Sequence, residues 1–228
     1  MINIATRETI MSFPRPGRAS DYVWFGFGRA ARTGTLKVIR IVFAFGYNWT
    51  CEVVTVGDGD SAGWRRTGLP PARVCDSYDC NDGVAANGVL HFLSMSHEDI
   101  LCFDFEREEW TAICGPSRTS TPKEKIGLAE LNGTLCISQA KLHMVDVWLL
   151  VDTSKNVWVN AYTIPIVHLQ AEVVPLRVMR PGGKLLFYHR RRCGASLQLY
   201  DPRSGKCSDV ETEITDGRIG ICWLTNGP

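Results

Sequence analysis

A glycine-rich stretch near the N-terminus is the first candidate for chemistry. Gly26-Phe27-Gly28-Arg29-Ala30-Ala31 matches the G-x-G-x-x-[GA] pattern of dinucleotide-binding loops. In such loops a helix begins beside the last glycines, and its free N–H groups bind the pyrophosphate. Here Arg32 to Thr35 lead directly into a β-branched strand, which leaves no room for a helix. The sequence therefore argues against a dinucleotide site.

The sequence gives equally little support for a metal site or a catalytic nucleophile. The five histidines, His91, His97, His143, His168 and His189, have the spacing of no zinc template, and Cys75 and Cys80 have no second cysteine pair. No G-x-S-x-G elbow is present. His91 and His189 fall within apolar strands, where we expect packed, hydrogen-bonded side chains. We expect no cofactor, no bound metal and no catalytic residue.

Composition narrows the class of protein. The 228 residues are 45% apolar, and 25 basic residues almost balance 24 acidic ones, which predicts neither a nucleic acid nor a membrane as partner. No apolar run approaches the roughly 20 residues of a membrane span. Arg7, Glu8 and Pro14 interrupt the N-terminus too early for a secretory signal. The nine cysteines lack a C-x-x-C pair and several lie in apolar strands, which favours reduced thiols and a cytoplasmic or nuclear location.

An acid followed six residues later by a large residue recurs along the chain. Asp58, Asp104, Asp152 and Asp201 precede Trp64, Trp110, Trp158 and Cys207, at intervals of 46, 48 and 49 residues between the acids. The sequences Asn87-Gly88, Asn132-Gly133 and Gly182-Gly183 stand before three of these acids. A period of this length is typical of a propeller or a solenoid.

The clearest unit predicts what each repeat contains. Asn87-Gly88 suits a turn with positive φ, and the apolar run that follows predicts a buried strand. Ile100 to Phe105 alternates between two faces with a period of two, and Asp104 then opens a tight turn by accepting backbone hydrogen bonds. Trp110 begins the outgoing strand, where we expect it to fill the wedge between neighbouring sheets rather than stack on a ligand.

Laid end to end, the units predict a nearly all-β domain over residues 1–228. The repeats cover approximately residues 1–15 (partial), 20–68, 84–114, 128–164 and 173–210. In the first, Asn3 takes the place of the turn acid and Ile10 to Phe13 form an outgoing strand, so this unit lacks its beginning. Ile219 to Leu224 could add a final strand.

With the repeats in order, the sequence resembles the plant F-box-associated domain, a relative of the kelch propeller. The matching segments run through most of the chain: residues 3–8, Phe25-Gly26-Phe27-Gly28, residues 36–40, Gly63-Trp64-Arg65-Arg66, residues 87–93, residues 100–110, residues 130–136, Val145-Asp146-Val147-Trp148 and Leu199-Tyr200-Asp201. The resemblance implies an all-β fold, a partial kelch-like β-propeller of about four to five blades that is open or incomplete at the N-terminus.

The resemblance also implies a function. Members of this family are substrate-receptor subunits of cullin-type ubiquitin ligases: an N-terminal F-box docks on the Skp adaptor, and the propeller holds the target protein. No F-box precedes Met1 in this sequence. We therefore expect a target for ubiquitination as partner, and the Skp adaptor only if an F-box is present upstream.

If the domain binds a target, the contacts should lie where the units differ. In a propeller the corresponding loops of successive blades emerge on one face, and loops on a rigid scaffold carry specificity. The candidate loops are residues 47–49, 96–99, 141–144 and 190–193. From them we predict four partner-binding residues: Trp49, His97, His143 and Arg191.

Two alternatives remain open. A truncated relative could bind partners without any role in a ligase, and co-purification with the Skp adaptor would distinguish it from a ligase subunit. An enzyme could use the propeller funnel as an active site, but it would need convergent acids or a metal.

Overall fold

The chain folds into four antiparallel sheets of four strands each. This computed structural model describes residues 22–44, 48–57, 63–75, 83–116, 125–166, 172–191 and 194–214, and within them it contains no helix. The predicted partial unit at residues 1–15, the turn acid Asp58 and the predicted strand Ile219 to Leu224 lie outside the described residues.

Each sheet is formed by consecutive strands. The first contains β1 (Tyr22–Arg29), β2 (Leu36–Ala44), β3 (Asn48–Thr55) and β4 (Arg65–Arg66). The second contains β5 (Val84–Ala86), β6 (Val89–Leu93), β7 (Asp99–Asp104) and β8 (Glu109–Cys114). The third contains β9 (Lys125–Leu131), β10 (Thr134–Ala140), β11 (Met144–Asp152) and β12 (Val157–Pro165). The fourth contains β13 (Glu172–Met179), β14 (Lys184–Arg191), β15 (Gly194–Asp201) and β16 (Lys206–Ile214).

The connections emerge at two opposite ends of the sheets. Each sheet is a meander in which neighbours in sequence pair antiparallel. The links from first to second and from third to fourth strand therefore share one end, which we call the turn end. The links from second to third strand, and from one sheet to the next, share the other, which we call the loop end.

The sheets stack in chain order through their first strands. β1 packs on β5 and β6, β5 on β9, and β9 on β13. Three apolar cores fill the spaces between successive sheets. Among the described residues no comparable packing joins the first sheet to the fourth, so the stack is open. The predicted all-β, incomplete propeller is confirmed.

The turns repeat in detail. Asn87 and Gly88 have φ of 50° and 78°, and Asn132 and Gly133 have 51° and 85°, as a two-residue hairpin turn of type I′ requires. Asp104, Asp152 and Asp201 each accept backbone hydrogen bonds from their own turn. The fourth residue after each acid has positive φ, which Glu108, Asn156 and Gly205 supply. The recurring acid therefore shapes the turn, as the sequence predicts.

Small residues let the first two sheets approach closely. A Cβ added at Gly26 would come closer than 3.0 Å to Leu90, and one added at Gly28 would meet the Phe105 ring equally closely. The glycines of the dinucleotide-like motif therefore let side chains of the second sheet pack directly against the backbone of β1.

The large residues that follow the turn acids lie between sheets. Trp110 packs against the core between the first and second sheets, and Trp158 against the core between the second and third. Cys207 packs against the core between the third and fourth sheets. The Trp158 indole also donates a 3.1 Å hydrogen bond to the Cys114 carbonyl on the preceding sheet. Each therefore ties its own sheet to the one before it.

Candidate functional site

The four predicted contact residues lie at or next to the loop end. His97 and His143 occupy the connections β6–β7 and β10–β11. Trp49 is the second residue of β3, so it lies in a strand beside the connection rather than in it. Arg191 is the last residue of β14, and its side chain lies outside the described part.

Trp49 belongs to an aromatic cluster. Its ring stacks on Trp24 of β1, with centroids 5.8 Å apart and planes 11° apart, and it contacts Phe43 of β2 at 4.9 Å. All three side chains are half-buried. Stacked aromatic rings lose little entropy when a partner binds, because they are already fixed.

A segment of the connection between the first two sheets covers this cluster. The Arg73 guanidinium lies 4.8 Å from the Phe43 ring centroid and 6.0 Å from that of Trp49, which is cation–π geometry. The Arg73 carbonyl accepts a 2.7 Å hydrogen bond from the Met95 N–H, and Val74 bridges to Ser94. The segment therefore joins the aromatic cluster to the β6–β7 connection.

His97 lies at the far side of the same segment. Its Nε2 is 3.0 Å from the Sγ of buried Cys75, and its backbone has φ of 59°. The His97 N–H donates to the Ser94 carbonyl at 2.9 Å, and the Cys75 N–H donates to the Leu93 carbonyl at 2.9 Å. The segment Arg73 to Cys75 thus connects Trp49 and His97, which lie 48 residues apart in the sequence, through direct contacts.

The β10–β11 connection projects two apolar side chains beside His143. The Lys141 N–H donates to the Met144 carbonyl at 2.8 Å, and the His143 carbonyl accepts from the Ile166 N–H at 2.9 Å, which close and anchor the hairpin. Leu142 is 68% exposed, Met144 is 40% exposed, and His143 is exposed between them. This hairpin tip therefore presents flexible apolar contact area to the solvent.

An ion pair between half-buried Lys141 and buried Asp146 supports that hairpin. Lys141 Nζ lies 2.5 Å from Oδ2 of Asp146, and the Thr163 hydroxyl donates to Oδ1 of the same carboxylate at 2.8 Å. Burial acts to raise the pKa of Asp146, but hydrogen bonds from Lys141 and Thr163 outweigh it and leave the pKa below its ordinary value. The hairpin therefore has a charged, hydrogen-bonded base at neutral pH.

The structure joins two of the four predicted residues and adds others. Trp49 and His97 are connected through the segment that begins with Arg73. The sequence analysis missed Arg73 because it lies in a connection rather than in a repeated motif. Trp24 and Phe43 were also missed, since each reads as an ordinary strand residue. His143 and Arg191 occupy corresponding places on the third and fourth sheets.

Three findings describe which kinds of site the described residues could form. They contain no group of three or more His, Cys, Asp or Glu side chains able to hold a metal ion. Burial raises the pKa of the Cys51 and Cys102 thiols to about 12, so both are protonated and unreactive at neutral pH. Nor does this part of the chain include any helix of the length and apolarity needed to cross a membrane.

An open stack of four-stranded antiparallel sheets defines an incomplete β-propeller domain. Residues 1–218 match the F-box associated beta propeller domain, and the chain belongs to that family.

Relatives of the chain are F-box proteins of Arabidopsis thaliana. An F-box/LRR-repeat protein is 30% identical over 213 residues, which cover 88% of this chain and 47% of the relative. An F-box protein is 27% identical over 78% of this chain and 42% of its own length. An F-box/LRR-repeat/kelch-repeat protein is 25% identical over 87% of this chain and 54% of its own length. The chain spans about half the length of the curated relatives it matches.

Proposed function

We propose that this domain binds a target protein through its loop end and presents it for ubiquitination as part of a cullin-type ligase. Trp49, His97, His143 and Arg191 are the contact residues in this proposal, and Arg73 joins them. The family membership supports a substrate-recognition role. Docking on the Skp adaptor would require an F-box, and a cytoplasmic or nuclear location is part of the proposal.

The observation that carries the proposal is the set of contacts that links Trp49, Arg73 and His97 at the loop end. Trp and Arg are over-represented among the residues that dominate binding energy at protein interfaces. Here they are held in place by ring stacking and by backbone hydrogen bonds from another sheet. A preorganised surface of this kind loses less entropy on binding than a mobile loop.

The test is crosslinking from defined positions. A photoreactive amino acid is placed at His143 or His97, and in a control protein at Thr111 or Val159, which are exposed on the outer strands β8 and β12. Crosslinks to one target protein in plant extract from the loop-end positions, and none from the outer strands, would support the face assignment. Equal labelling from both sets would refute it.

A second measurement addresses affinity. Once a target is found, the variants His97→Ala, His143→Ala and Arg191→Ala are titrated with it, beside Thr111→Ala and Val159→Ala. We expect the loop-end variants to weaken binding by roughly 10-fold each, as truncations of central interface residues do. Unchanged binding in all three would exclude these residues as contacts.

Ligase assembly needs its own experiment, because the chain covers only part of its relatives. Co-purification with the Skp adaptor is compared for this chain and for the same chain fused to an F-box. Retention of the adaptor by the fusion alone indicates that this domain supplies target binding only. A chain that binds its target without any adaptor in the cell would fit the alternative of a binding protein outside a ligase.

A further inference from the structure

Charges at the turn end are arranged in two layers. The acids lie in the inner layer: Asp104, Asp152 and Asp201 are half-buried, and each accepts backbone N–H groups of its own turn. Glu106 accepts from the backbone N–H groups of Arg32 and Thr33 at 3.2 and 3.1 Å. One oxygen of each of these carboxylates is therefore already occupied by backbone donors within the fold.

The outer layer contains one exposed cation in each of three connections, which join the third and fourth strands of the second, third and fourth sheets. These are Arg107 in β7–β8, Lys155 in β11–β12 and Arg203 in β15–β16, and all three are exposed. The Arg107 and Lys155 N–H groups donate to Asp104 and Asp152, both at 3.1 Å, and the Arg203 N–H donates to Asp201 at 2.9 Å. Each turn acid thus fixes the backbone from which a cation projects.

The exposed charges described at the turn end are mostly positive. Besides the three cations they include Arg29, Arg32, Arg180 and Lys206, whereas Glu109 is an exposed acid. The half-buried acids reduce this positive charge, because Asp152 lies 3.9 Å from Lys155 and the screening length at physiological ionic strength is about 8 Å. The cations are nevertheless the charged groups that a partner can contact directly.

We propose that Arg107, Lys155 and Arg203 form a second interaction surface, the cation rim, which binds an acidic segment of a partner protein. Two of the three cations are arginines, and guanidinium groups pair with carboxylates through two parallel hydrogen bonds. The arginines therefore favour a partner that carries carboxylates. The cations are one to a sheet, and a turn carboxylate lies beside each. Separate acidic side chains can reach such cations singly, whereas an unbroken phosphate backbone would also meet the carboxylates.

The cation rim and the loop end lie at opposite ends of the sheets. A partner on the rim therefore leaves Trp49, Arg73 and His97 accessible, and both surfaces can be occupied together. The rim does not depend on the proposed role of the loop end, because different residues on different connections form it.

The probe is a fluorescent oligoglutamate peptide, titrated with the 228-residue chain at low and at physiological salt. We expect salt-sensitive binding, and roughly a 5-fold weaker affinity in the double variant R107Q/R203Q, since each exposed ion pair contributes modestly. The variant R107K/R203K keeps the charge and should retain most of the affinity.

The matched control is T111E/A112E, which changes the net charge by the same amount at exposed positions of β8. At physiological salt we expect its affinity for the peptide to stay within about 2-fold of the parent, because exposed charges separated from the contact by more than the screening length of about 8 Å are largely screened. A loss of affinity equal to that of R107Q/R203Q would show that only the net charge determines binding and would overturn the proposed cation rim.

Two further outcomes would also overturn the proposal. One is absence of peptide binding by the parent chain at low salt. The other is tighter binding of a duplex DNA of equal charge, lost in R107Q/R203Q, which would make the partner a nucleic acid. Circular dichroism of all variants establishes that each is folded before it is titrated.

Discussion

The interface between the first and second sheets contains more than the one between the third and fourth. Both have an apolar core, which between the third and fourth sheets includes Val147, Leu185 and Phe187. Between the first and second sheets, Gly26 and Gly28 also let the Leu90 and Phe105 side chains pack against the backbone of β1. Buried Lys37 there bonds to the Phe105 carbonyl at 2.6 Å and to Glu108 at 2.8 Å. One repeat therefore joins its copies either by apolar packing alone or by apolar packing with close glycine contacts and an ionic contact.

The apolar interface should suffer most from a single truncation. Phe187 is fully buried in the core between the third and fourth sheets. We expect Phe187→Ala to reduce the free energy of unfolding by about 4 kcal/mol, through lost transfer energy and a cavity. Urea denaturation measures it, with Val159→Ala as control because Val159 is 47% exposed. A loss below about 2 kcal/mol would show that the interface collapses to fill the space.

The glycine interface should instead be broken by adding a single methyl group. A Cβ at Gly28 would clash with the Phe105 ring, which is itself fully buried and cannot easily move. We expect Gly28→Ala to cost about 2–3 kcal/mol by overpacking. The control is Gly63→Ala, since a Cβ there meets nothing within 4 Å. Equal stability of the two variants would mean that β1 does not approach the second sheet this closely.

The interface between the second and third sheets adds a dependence on pH. His91 is buried in β6, with Nδ1 3.1 Å from the Val84 carbonyl, and burial lowers its pKa from 6.5 to about 4. Between these pH values the unfolded chain binds more protons than the folded one, so stability falls as pH falls from 6.5 towards 4. We expect a loss of about 2 kcal/mol at pH 5 relative to pH 7.

Urea denaturation at several pH values checks this, with His91→Asn as the comparison variant. The variant should show a flat stability between pH 7 and pH 5, whatever its absolute value. The turn carboxylates act in a different window: hydrogen bonds from Ser154 lower the pKa of Asp152, and those from Arg203 lower that of Asp201. Their contribution is present above the unfolded pKa of about 3.9 and is lost below it. A parent chain as stable at pH 5 as at pH 7 would contradict the His91 assignment.

The sequence predicts the parts of this comparison that depend on local signals. Asn87-Gly88 and Asp104 mark their turns because positive φ and backbone capping are properties of single residues. The sequence predicts β5, the first strand of its sheet, less clearly, because that strand has only three residues. Contacts such as Arg73 over Trp49, or Lys37 on Phe105, depend on how distant segments pack, and no spacing in the sequence records them.

The smallest expected effect concerns the ionic contact in the first interface. Lys37→Met keeps the apolar length of the side chain but removes the donor to the Phe105 carbonyl and one partner of Glu108. Arg65 still pairs with Glu108, and the Thr67 hydroxyl still donates to the Glu108 carbonyl at 3.0 Å. We therefore expect a loss of about 1–2 kcal/mol, mainly from one unsatisfied buried carbonyl. Thermal and urea denaturation measure the loss.

The comparison variant is Lys155→Met, in which an exposed lysine 3.9 Å from Asp152 is replaced at the turn end of the third sheet. Exposed pairs of this kind contribute about 0–1 kcal/mol, so it should be nearly neutral. If Lys37→Met were neutral as well, the ionic contact would be incidental, and the glycines alone would distinguish the first interface from the last. If it cost as much as Phe187→Ala, the ionic contact rather than the close packing at the glycines would hold the first two sheets together.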